Sequence, residues 1–300
     1  MVGIVDIGSN TIRLSCYETE GSKFHCVMHK KEVAGLAGYI DSEGRMTDEG
    51  IERVIKTLDN FKSVMQHVEL ESVHFLATAA IRNTVNSEEI VSKIKNSTGF
   101  EVEVISGKEE AICDFAGVRQ ADSFKNGMVV DIGGGSTELV SFEQDTVLNA
   151  VSVSIGSLNT YREFVKNIIP EKNEIKAIKS RVKMLLEKAE KITNTGDCTY
   201  GVGGSVRAIL RLYNEEYKKD ESNRIMEIGK LKKLLKTYID KRHYMTDKII
   251  KTAPERLHTI VPGLIILCTV MKYYGLGIVQ VSMYGVREGY LIRHVLTKEV

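Results

Sequence analysis

The chain has 300 residues, of which 43% are hydrophobic and 27% are charged, and its formal net charge is +1 at pH 7. This composition is typical of a globular protein, and the length is sufficient for two domains of ordinary size. A net charge near zero excludes a global field that would recruit nucleic acid or a membrane surface. We therefore expect neither as a partner, and any phosphate site must be local.

The first half of the chain predicts three strands followed by alternating helices and strands. A helix at 48–66 is indicated by an apolar face and by Asp48 and Glu49 in its first turn, where the helix dipole favours acidic groups. The resulting order is βββαβαβα. The predicted strands are 2–6, 11–18, 24–33, 73–77 and 101–105, and the predicted helices are 48–66, 87–96 and 108–118.

The second half of the chain predicts the same order. A helical region starts at 157 and breaks near Pro170, the charged run 215–224 is typical of a solvated connection, and Pro262 fits the first turn of a helix that Gly275 ends. The predicted strands are 127–132, 137–142, 146–154, 199–202 and 278–282. Two further helices are predicted at 205–213 and 286–296, each following one of the last two strands.

Two such units predict a two-lobed α/β protein with a cleft between the lobes. We expect the first lobe at 1–120 and the second at 121–285, with the helix at 286–300 as a candidate addition to the first lobe.

The cysteine usage and the apolar stretches limit the cellular context. The longest apolar stretch, 260–270, is too short to span a bilayer, and Met1 leads into a predicted strand without a basic or apolar leader, so we expect a cytoplasmic protein. The cysteines contain no C-x-x-C pair, which is typical of reduced thiols and predicts no metal site built on them. They are Cys16, Cys26, Cys113, Cys198 and Cys268.

A glycine-rich hairpin tip in the second unit is the stretch around which the sequence is organised. Glycines let backbone N–H groups approach an anion closely, because no Cβ stands in the way. Asp131 ends the preceding strand, and a carboxylate beside a phosphate cradle favours a bridging divalent cation. Taken alone, the stretch is equally consistent with a hairpin that has flexible glycines. The tip consists of Gly133, Gly134, Gly135, Ser136 and Thr137.

The same pattern occurs at the N-terminus. VDIGSNTIRL at 5–14 aligns with VDIGGGSTEL at 130–139, so Asp6 corresponds to Asp131. An internal repeat implies two related domains, each with an aspartate and a phosphate-binding tip. The first tip consists of Gly8, Ser9, Asn10 and Thr11. A third cluster follows a strand and opens a helix, whose N-terminus is a further anion site. It consists of Gly203, Gly204 and Ser205.

Two further residues are candidates for chemistry. Ser106 and Glu109 match a capping box, which gives Glu109 a structural role and leaves Glu110 without one. Glu110 is then a candidate base for water in the cleft, and the alternative is a solvated glutamate in a first turn. Arg82 follows a strand, where ligands bind in open α/β sheets, and arginine binds phosphate in a bidentate fork. The alternative is a surface charge.

The local sequence leads to different expectations for two charged residues next to the tips. We expect Arg13 at the protein surface, whereas the local sequence leaves the role of Glu138 open.

A series of segments along essentially the whole chain resembles one family. The segments are VDIGSNTIRL at 5–14, ATAAIRN at 77–83, ISGKEEA at 105–111, DIGGGSTELV at 131–140, GVGGSVRA at 201–208, VPGLIIL at 261–267 and VSMYGVREGYL at 281–291. Together they resemble the exopolyphosphatase and guanosine pentaphosphate phosphatase family. DIGGGSTEL with an upstream ISG-x-EEA is a specific combination, whereas each segment alone is weaker. The family has the duplicated actin-like fold of sugar kinases and Hsp70, which is ribonuclease H-like and agrees with the repeated order.

The resemblance implies hydrolysis of the terminal phosphate of polyphosphate, or of the 5′ γ-phosphate of guanosine pentaphosphate, with Mg²⁺ as the cofactor. It implies that Glu110 is the catalytic base, that Arg82 binds phosphate oxygens, and that the three tips bind phosphate through the main chain. The implied metal ligands come from Asp6, Asp131 and Glu138. A homodimer is also expected from the family.

The chain departs from the family pattern in the second lobe. Residues 157–159 replace a stretch that often carries an arginine, and Met283 and Tyr284 precede Gly285 where an acidic residue is common. Both departures bear on substrate contacts more than on the chemistry. Longer members carry a C-terminal HD-type helical domain, and we expect a short form without it.

Three other functions remain open on the sequence. An actin-like small-molecule kinase would need an acceptor pocket and an aspartate base. A sensor would bind polyphosphate or an alarmone without releasing phosphate, and a filament-forming scaffold would assemble with nucleotide. Glu110 in its matching motif favours hydrolysis over all three.

Overall fold

The computed structural model describes residues 1–121, 126–193, 196 and 198–299. These residues form two mixed β-sheets with helices packed on their faces, which confirms the predicted duplicated α/β fold. Residues 122–125, at the predicted boundary between the lobes, and residue 300, at the end of the predicted helix 286–300, lie outside the described residues.

The first sheet has five strands and contains the N-terminal repeat. Its strands are β1 (Val2–Ile7), β2 (Thr11–Glu20), β3 (Lys23–Val33), β4 (Ser72–Ala77) and β5 (Val102–Val104), in the order β3-β2-β1-β4-β5. The helices of this part are α1 (Asp48–Met65), the single turn α2 (Ala79–Arg82), α3 (Ser87–Thr98) and α4 (Gly107–Ala121).

The second sheet has six strands and contains the other repeat. Its strands are β6 (Asn126–Ile132), β7 (Thr137–Glu143), β8 (Thr146–Val153), β9 (Cys198–Val202), β10 (Ile225–Glu227) and β11 (Ile278–Val281). The helices are α5 (Ser157–Phe164), α6 (Lys172–Lys188), α7 (Gly203–Tyr217), α8 (Ile228–Asp240), α9 (Arg242–Thr252), α10 (Ile260–Tyr273) and α11 (Val286–Tyr290).

The two sheets have the same topology and the same register. The second sheet has the order β8-β7-β6-β9-β11-β10, which repeats the first sheet and adds β10 at one edge. Asp6 lies opposite Arg13 across the β1–β2 hairpin, and Asp131 lies opposite Glu138 across the β6–β7 hairpin. Each sheet therefore presents its aspartate next to a hairpin tip, as the repeat predicted.

Simple local rules explain the central elements. β1 lies between an antiparallel and a parallel neighbour, and its apolar residues Ile4, Val5 and Ile7 are fully buried, as expected for a strand covered on both faces. The helix α1 buries one apolar face, and the Thr47 hydroxyl caps it by accepting the N–H of Gly50 at 3.3 Å.

Two helices cross between the parts of the molecule. The helix α4, which ends the first unit of the sequence, packs against the second sheet through Phe115 and Val118. The helix α11 and the π-helical turn that follows it (Leu291–Val295) pack on the first sheet, where Tyr290 and Leu291 join its core. α4 and α11 also pack on each other. The domain limits stay a prediction.

The structure differs from the expected elements in several places, among them β10, which was not expected, and the helix expected at 286–296, which is α11 followed by a π-helical turn. The segment before Asn83 forms the helical turn α2 instead of a loop. The helix predicted at 205–213 is longer and begins at Gly203. The charged run 215–224 begins inside α7, where Glu215 and Glu216 pair with lysines of α9, whereas its remainder from residue 218 is a largely exposed connection, as expected.

No helix among the described residues combines the length and the apolar character that crossing a bilayer requires.

The contact between α4 and α11 gives a test of the packing. A Cβ at Gly289 would overlap the backbone carbonyl oxygen of Cys113, whereas a Cβ at the exposed Gly229 in α8 would have no atom within 4 Å. We expect Gly289→Ala to lower the free energy of unfolding by about 3 kcal/mol, because the two backbones must separate. Gly229→Ala should raise it by up to about 1 kcal/mol through helix propensity. Urea unfolding measures both, and equal effects would contradict the close packing of the two helices.

Candidate active site

A cavity lies between the two hairpin tips and the start of α7. Predicted site residues that line it are Asp6, Gly8, Ser9, Asn10, Thr11, Glu110, Asp131, Gly133, Gly134, Gly135, Ser136, Gly203 and Gly204. Four other predicted residues are not part of this lining, and each makes a hydrogen bond either with a lining residue or with a residue outside the lining. They are Arg82, Thr137, Glu138 and Ser205.

The first tip is held from behind by the segment that follows β3. The carbonyl oxygen of Ser9 accepts the N–H of Ala37 at 3.1 Å, and the carbonyl oxygen of Asn10 accepts the N–H of Ala34 at 3.1 Å. In a trans peptide the following N–H points away from the carbonyl. The N–H groups of Asn10 and Thr11 therefore point away from this segment, on the side where the cavity lies.

The second tip repeats this arrangement with the start of α5. The carbonyl oxygen of Gly134 accepts the N–H of Leu158 at 2.9 Å, and that of Gly135 accepts the side-chain amide of Asn159 at 2.9 Å. By the same geometry the N–H groups of Gly135 and Ser136 point toward the cavity. Asn159 thus has a structural role in the second tip.

The two tips are in direct contact with each other. A Cβ at Gly134 would lie 3.0 Å from the Cβ of Ser9, and a Cβ at Gly135 would lie 2.6 Å from the Ser9 hydroxyl oxygen. Glycine is required here because a side chain would separate the tips. The cavity is consequently closed at this end by backbone from both sheets.

The third cluster opens α7 in a left-handed conformation. Gly203 has φ of 86°, and a Cβ there would overlap the carboxylate of Asp131. The Ser205 hydroxyl contacts the Ser157 hydroxyl at 3.0 Å and accepts a hydrogen bond from Arg256 at 3.2 Å. Glycine therefore brings the positive end of a helix next to a carboxylate of the cavity.

Glu110 is part of a buried ion-pair network. Its Oε2 accepts a hydrogen bond from Nη1 of Arg82 at 2.6 Å, and the same Nη1 donates to the carbonyl oxygen of Ile105 at 3.2 Å. Nη2 of Arg82 lies 3.6 Å from Oε1 of Glu138, which accepts the Ser152 hydroxyl at 2.7 Å. Arg82 thus holds two carboxylates and does not line the cavity.

The carboxylates of this region have raised pKa values. Burial, and then the charge of Glu138, raise the pKa of Glu110 well above its ordinary value, although Arg82 opposes this shift. Burial and the charge of Asp131 raise the pKa of Glu138 to about 7, and burial raises the pKa of Asp131 to about 6. Near neutral pH these three carboxylates therefore bind either protons or a metal cation.

The buried carboxylates of Asp131 and Glu138 fit a divalent cation. Oδ1 of Asp131 and Oε2 of Glu138 are buried, and neither has a hydrogen-bond partner among the described residues. Buried carboxylate oxygens without donors are costly, and a hard cation such as Mg²⁺ takes oxygen ligands of this kind. Asp6 lies at the same cavity, and burial raises its pKa against the opposing charges of Arg287 and Arg13.

Asp114 belongs to this region and was missed from the sequence. It lies one helical turn after Glu110 on α4, is fully buried, and has no hydrogen-bond partner for either carboxylate oxygen among the described residues. Burial, and then Asp131, raise its pKa well above the ordinary value. The i, i+4 spacing from Glu110 was visible, but nothing in the sequence alone indicated that this face of α4 is buried.

Four arginines line the cavity, and sequence reasoning assigned none of them to it. They are Arg13, Arg207, Arg256 and Arg287. Burial, and then the positive charge of Arg287, lower the pKa of Arg13 to about 10, and burial lowers the pKa of Arg256 to about 10. The expectation that Arg13 lies at the surface was wrong, because β2 places it opposite Asp6 at the tip. Its position in the repeat, where it matches Glu138, was the available signal.

The predicted capping box at the start of α4 is half correct. The hydroxyl of Ser106 accepts the N–H of Glu109 at 3.1 Å, as predicted. The carboxylate of Glu109, however, contacts Arg293 at 3.2 Å and His294 at 2.7 Å. A C-terminal segment distant in sequence thus takes the group that the local pattern assigned to the backbone.

The arrangement suits a multiply charged anion. Backbone N–H groups of two tips and the start of a helix surround one part of the cavity, and guanidinium groups approach from another. Carboxylates with unpaired oxygens complete the lining. Such a site can hold phosphate groups, a divalent cation and a water molecule within reach of Glu110.

A family model described as the Ppx/GppA phosphatase family matches residues 16–298. Among curated relatives, a bifunctional 3-dehydroquinate synthase/phosphatase of Fusobacterium nucleatum is 29% identical over 93% of this chain and 44% of its own length. Exopolyphosphatase 1 of Mycobacterium tuberculosis is 24% identical over 97% of this chain and 87% of its own length. The chain thus spans less than half of the first relative and most of the second.

Two further similarities agree with these. A guanosine-5′-triphosphate,3′-diphosphate pyrophosphatase of Photobacterium profundum is 26% identical over 95% of this chain and 57% of its own length. The crystal structure of the Ppx/GppA family member of Aquifex aeolicus matches with a TM-score of 0.79 and 26% identity, covering 100% of this chain and 98% of that one. The fold and its two sheets are therefore those of this group of proteins.

The support of the second tip by Asn159 can be tested. We expect Asn159→Ala to weaken binding of pyrophosphate about tenfold, because the variant loses the hydrogen bonds that hold Gly135 and Gly156. Isothermal titration calorimetry measures this affinity. Asn149→Ala is the control, because Asn149 also makes two hydrogen bonds with the backbone but lies outside the cavity lining. Equal affinity of the Asn159 variant and the wild type would show that the tip does not depend on this side chain.

The raised pKa of Glu138 predicts a pH-dependent stability difference. A carboxyl whose pKa rises on folding binds its proton more tightly in the folded state, so stability falls as the pH rises from about 4.5 to about 7. Without divalent metal, Glu138→Gln should match the wild type near pH 5 and exceed it by roughly 3 kcal/mol at pH 8. Urea unfolding at both pH values measures this, and a constant difference would contradict the raised pKa.

Proposed function

The chain belongs to the Ppx/GppA phosphatase family, and we propose that it is a Mg²⁺-dependent phosphohydrolase that releases the terminal phosphate of inorganic polyphosphate or the 5′ γ-phosphate of guanosine pentaphosphate. The observation that carries the proposal is the position of Glu110, a buried carboxylate at the edge of a cavity lined by the backbone of two phosphate-type tips. Relatives that are named exopolyphosphatase and guanosine pentaphosphate pyrophosphatase support the same reaction class.

The arginines of the cavity indicate the substrate class. Four arginines line it together with the carboxylates of Asp6, Glu110, Asp131 and Glu288. The raised pKa values of Asp6, Glu110 and Asp131 reduce their negative charge near neutral pH. A chain of linked phosphates offers the guanidinium groups further negative charges, and arginine binds phosphate through two parallel hydrogen bonds. We propose that the tips hold the terminal phosphate and that Arg13, Arg207, Arg256 and Arg287 bind the phosphates that follow it.

In the proposed reaction, a water oxygen attacks the terminal phosphorus and its proton passes to the carboxylate of Glu110. The bond from phosphorus to the bridging oxygen breaks, and the products are orthophosphate and a chain shortened by one unit. Burial strengthens Glu110 as a base, because it raises the pKa of the carboxyl toward the working pH. Arg82 keeps the carboxylate oriented through its hydrogen bond to Oε2.

The remaining contribution is stabilisation of charge. Mg²⁺ bound by Asp6, Asp131 and Glu138 would neutralise charge on the transferred group. The backbone N–H groups of the tips donate to the oxygens of that group, and they are fixed in advance by the hydrogen bonds behind them. Most of the acceleration in this proposal comes from positioning and from these fixed donors.

Three expectations accompany this proposal without further support: a homodimer, a cytoplasmic location and a form without an HD-type domain. A small-molecule kinase, a sensor and a filament-forming scaffold stay alternative hypotheses. Measurements of phosphate release and of ATP consumption separate the first two from hydrolysis.

The role of Glu110 gives a direct test. Phosphate release from short polyphosphate, long polyphosphate and guanosine pentaphosphate should require Mg²⁺ and should stop when the metal is chelated.

Glu110→Gln should lower the turnover of the best substrate by a factor of about 100 or more, because the variant cannot accept the proton of water. Circular dichroism and urea unfolding establish that the variant is folded.

A matched control separates this effect from a general loss of charge. Glu101→Gln removes an exposed carboxylate that pairs with Lys95 outside the cavity lining, and it should leave turnover unchanged. If the wild type binds all three substrates tightly but releases no phosphate, the result contradicts hydrolysis and supports a sensor. ATP consumption that appears only with an added acceptor would support a small-molecule kinase.

A further inference from the structure

A cluster of side chains that could hold a metal ion, separate from the acidic residues of the cavity, includes Glu109, the direct neighbour of Glu110 on α4. Glu109 and Cys113 are four residues apart on α4 and therefore share a face of the helix. His294 reaches the same place from the π-helical turn Leu291–Val295. Each of the three offers one donor atom, and these atoms lie within 4.8 Å of one another. Neither phosphate binding nor the proposed hydrolysis uses any of them.

Two of the distances between the donor atoms can be compared with those around one tetrahedral ion, and the third pair, Cys113 and His294, lies within 4.8 Å. Sγ of Cys113 lies 3.6 Å from Oε1 of Glu109, and Nε2 of His294 lies 2.7 Å from the same oxygen. Typical bond lengths to zinc place a thiolate sulfur about 3.5 Å from a carboxylate oxygen and an imidazole nitrogen about 3.3 Å from it. The first distance already fits, and the second requires the imidazole to move by only about 0.6 Å.

We propose that Glu109, Cys113 and His294 form a binding site for one divalent transition-metal ion of the zinc type. The ion is bound by the sulfur of Cys113, Nε2 of His294 and one oxygen of Glu109, and water occupies the fourth position. The side chains of Glu109 and His294 are 25% and 29% exposed, so solvent reaches that position. The thiol proton of Cys113 passes to solvent when the sulfur binds the metal.

The ligand types separate this ion from the Mg²⁺ of the proposed reaction. Thiolate and imidazole ligands favour zinc and similar metals, whereas Mg²⁺ takes oxygen ligands in octahedral geometry. The site is therefore selective by chemistry, although Glu109 is the direct neighbour of Glu110.

The surroundings hold His294 in the required orientation. Its ring stacks on Tyr290 with centroids 4.5 Å apart and an interplanar angle of 27°. The hydroxyl of Tyr290 donates to Glu103 at 2.6 Å, which fixes the ring that supports the imidazole. Metal-binding imidazoles are commonly oriented by neighbours in this way.

Arg293 competes with the metal for Glu109. Its Nε lies 3.2 Å from the same Oε1 that the ion requires, and its side chain is 38% exposed. Without metal the guanidinium neutralises the carboxylate, and metal binding must displace it into solvent. Removing Arg293 should therefore strengthen metal binding, which a purely structural contact between Glu109 and the C-terminal segment does not predict.

The cluster also explains why the sequence predicted no metal site on cysteine. The ligands include a single cysteine, their spacing on α4 is that of an ordinary ion pair or hydrogen bond, and the third ligand lies near the end of the chain. The packing of α11 and the following turn against α4 brings them together.

The test uses the full chain, freed of metal with a chelator and titrated with Co²⁺, which reports cysteine coordination through its visible and thiolate charge-transfer absorption. We expect one equivalent of Co²⁺ to bind with this signal and Zn²⁺ to displace it. Loss of a direct ligand in Cys113→Ser or His294→Gln should weaken binding about a hundredfold or more. Arg293→Gln should bind several times more tightly than the wild type.

Cys268→Ser is the matched control, because Cys268 is a buried thiol outside the cluster and its loss should leave Co²⁺ binding unchanged. If Cys113→Ser does not fold, the variant of the partly exposed His294 still decides the question. The proposal is overturned if no equivalent of Co²⁺ binds with a thiolate signal, or if His294→Gln binds as tightly as the wild type. Metal binding is measured without substrate, so a failure of the proposed hydrolysis would not affect the result.

Discussion

The capture of backbone carbonyl oxygens behind the two hairpin tips is the constraint on which the site depends. A tip of small residues alone could point its peptide groups in either direction. Here the segments after β3 and β8 donate to the carbonyl oxygens of Ser9, Asn10, Gly134 and Gly135. Because each peptide is planar, binding its oxygen on one side directs the next N–H to the other side. The orientation of the tip peptides, on which the proposed phosphate binding rests, is thus a consequence of how the third strand of each unit ends.

The balance of charge in the cavity follows from this geometry. The backbone donors add no net charge, so the arginines and carboxylates set the electrostatics. Arg13 and Glu138 occupy the same register position in the two hairpins, next to Asp6 and Asp131. One half of the repeat thereby supplies a positive side chain and the other a negative one. A symmetric fold thus produces an asymmetric cavity, in which one tip carries an arginine and the other a glutamate.

Local features of the sequence were sufficient for the fold and for the tips. The aspartate, the glycines and the strand order repeat along the chain, and each depends on interactions between near neighbours in sequence. Arg256 and Arg287 could not be assigned in this way, since they lie near the start of α10 and in α11 and reach the cavity only through tertiary packing. The sequence pattern assigned Glu109 to a capping box because such a pattern covers only near neighbours along the chain. Its actual partners, Arg293 and His294, are more than 180 residues away.

The exchange of helices between the two parts of the molecule has a consequence for how the duplicated halves can exist. The helix α4 comes from the first half of the sequence but packs on the second sheet, while the end of the chain returns to cover the first sheet. Each half covers one face of its own sheet, whereas the opposite face of each sheet is covered in part by a segment of the other half. Although the two halves share one pattern, they are not modules that could be cut apart and recombined. Neither sheet is fully covered until segments of both halves are in place.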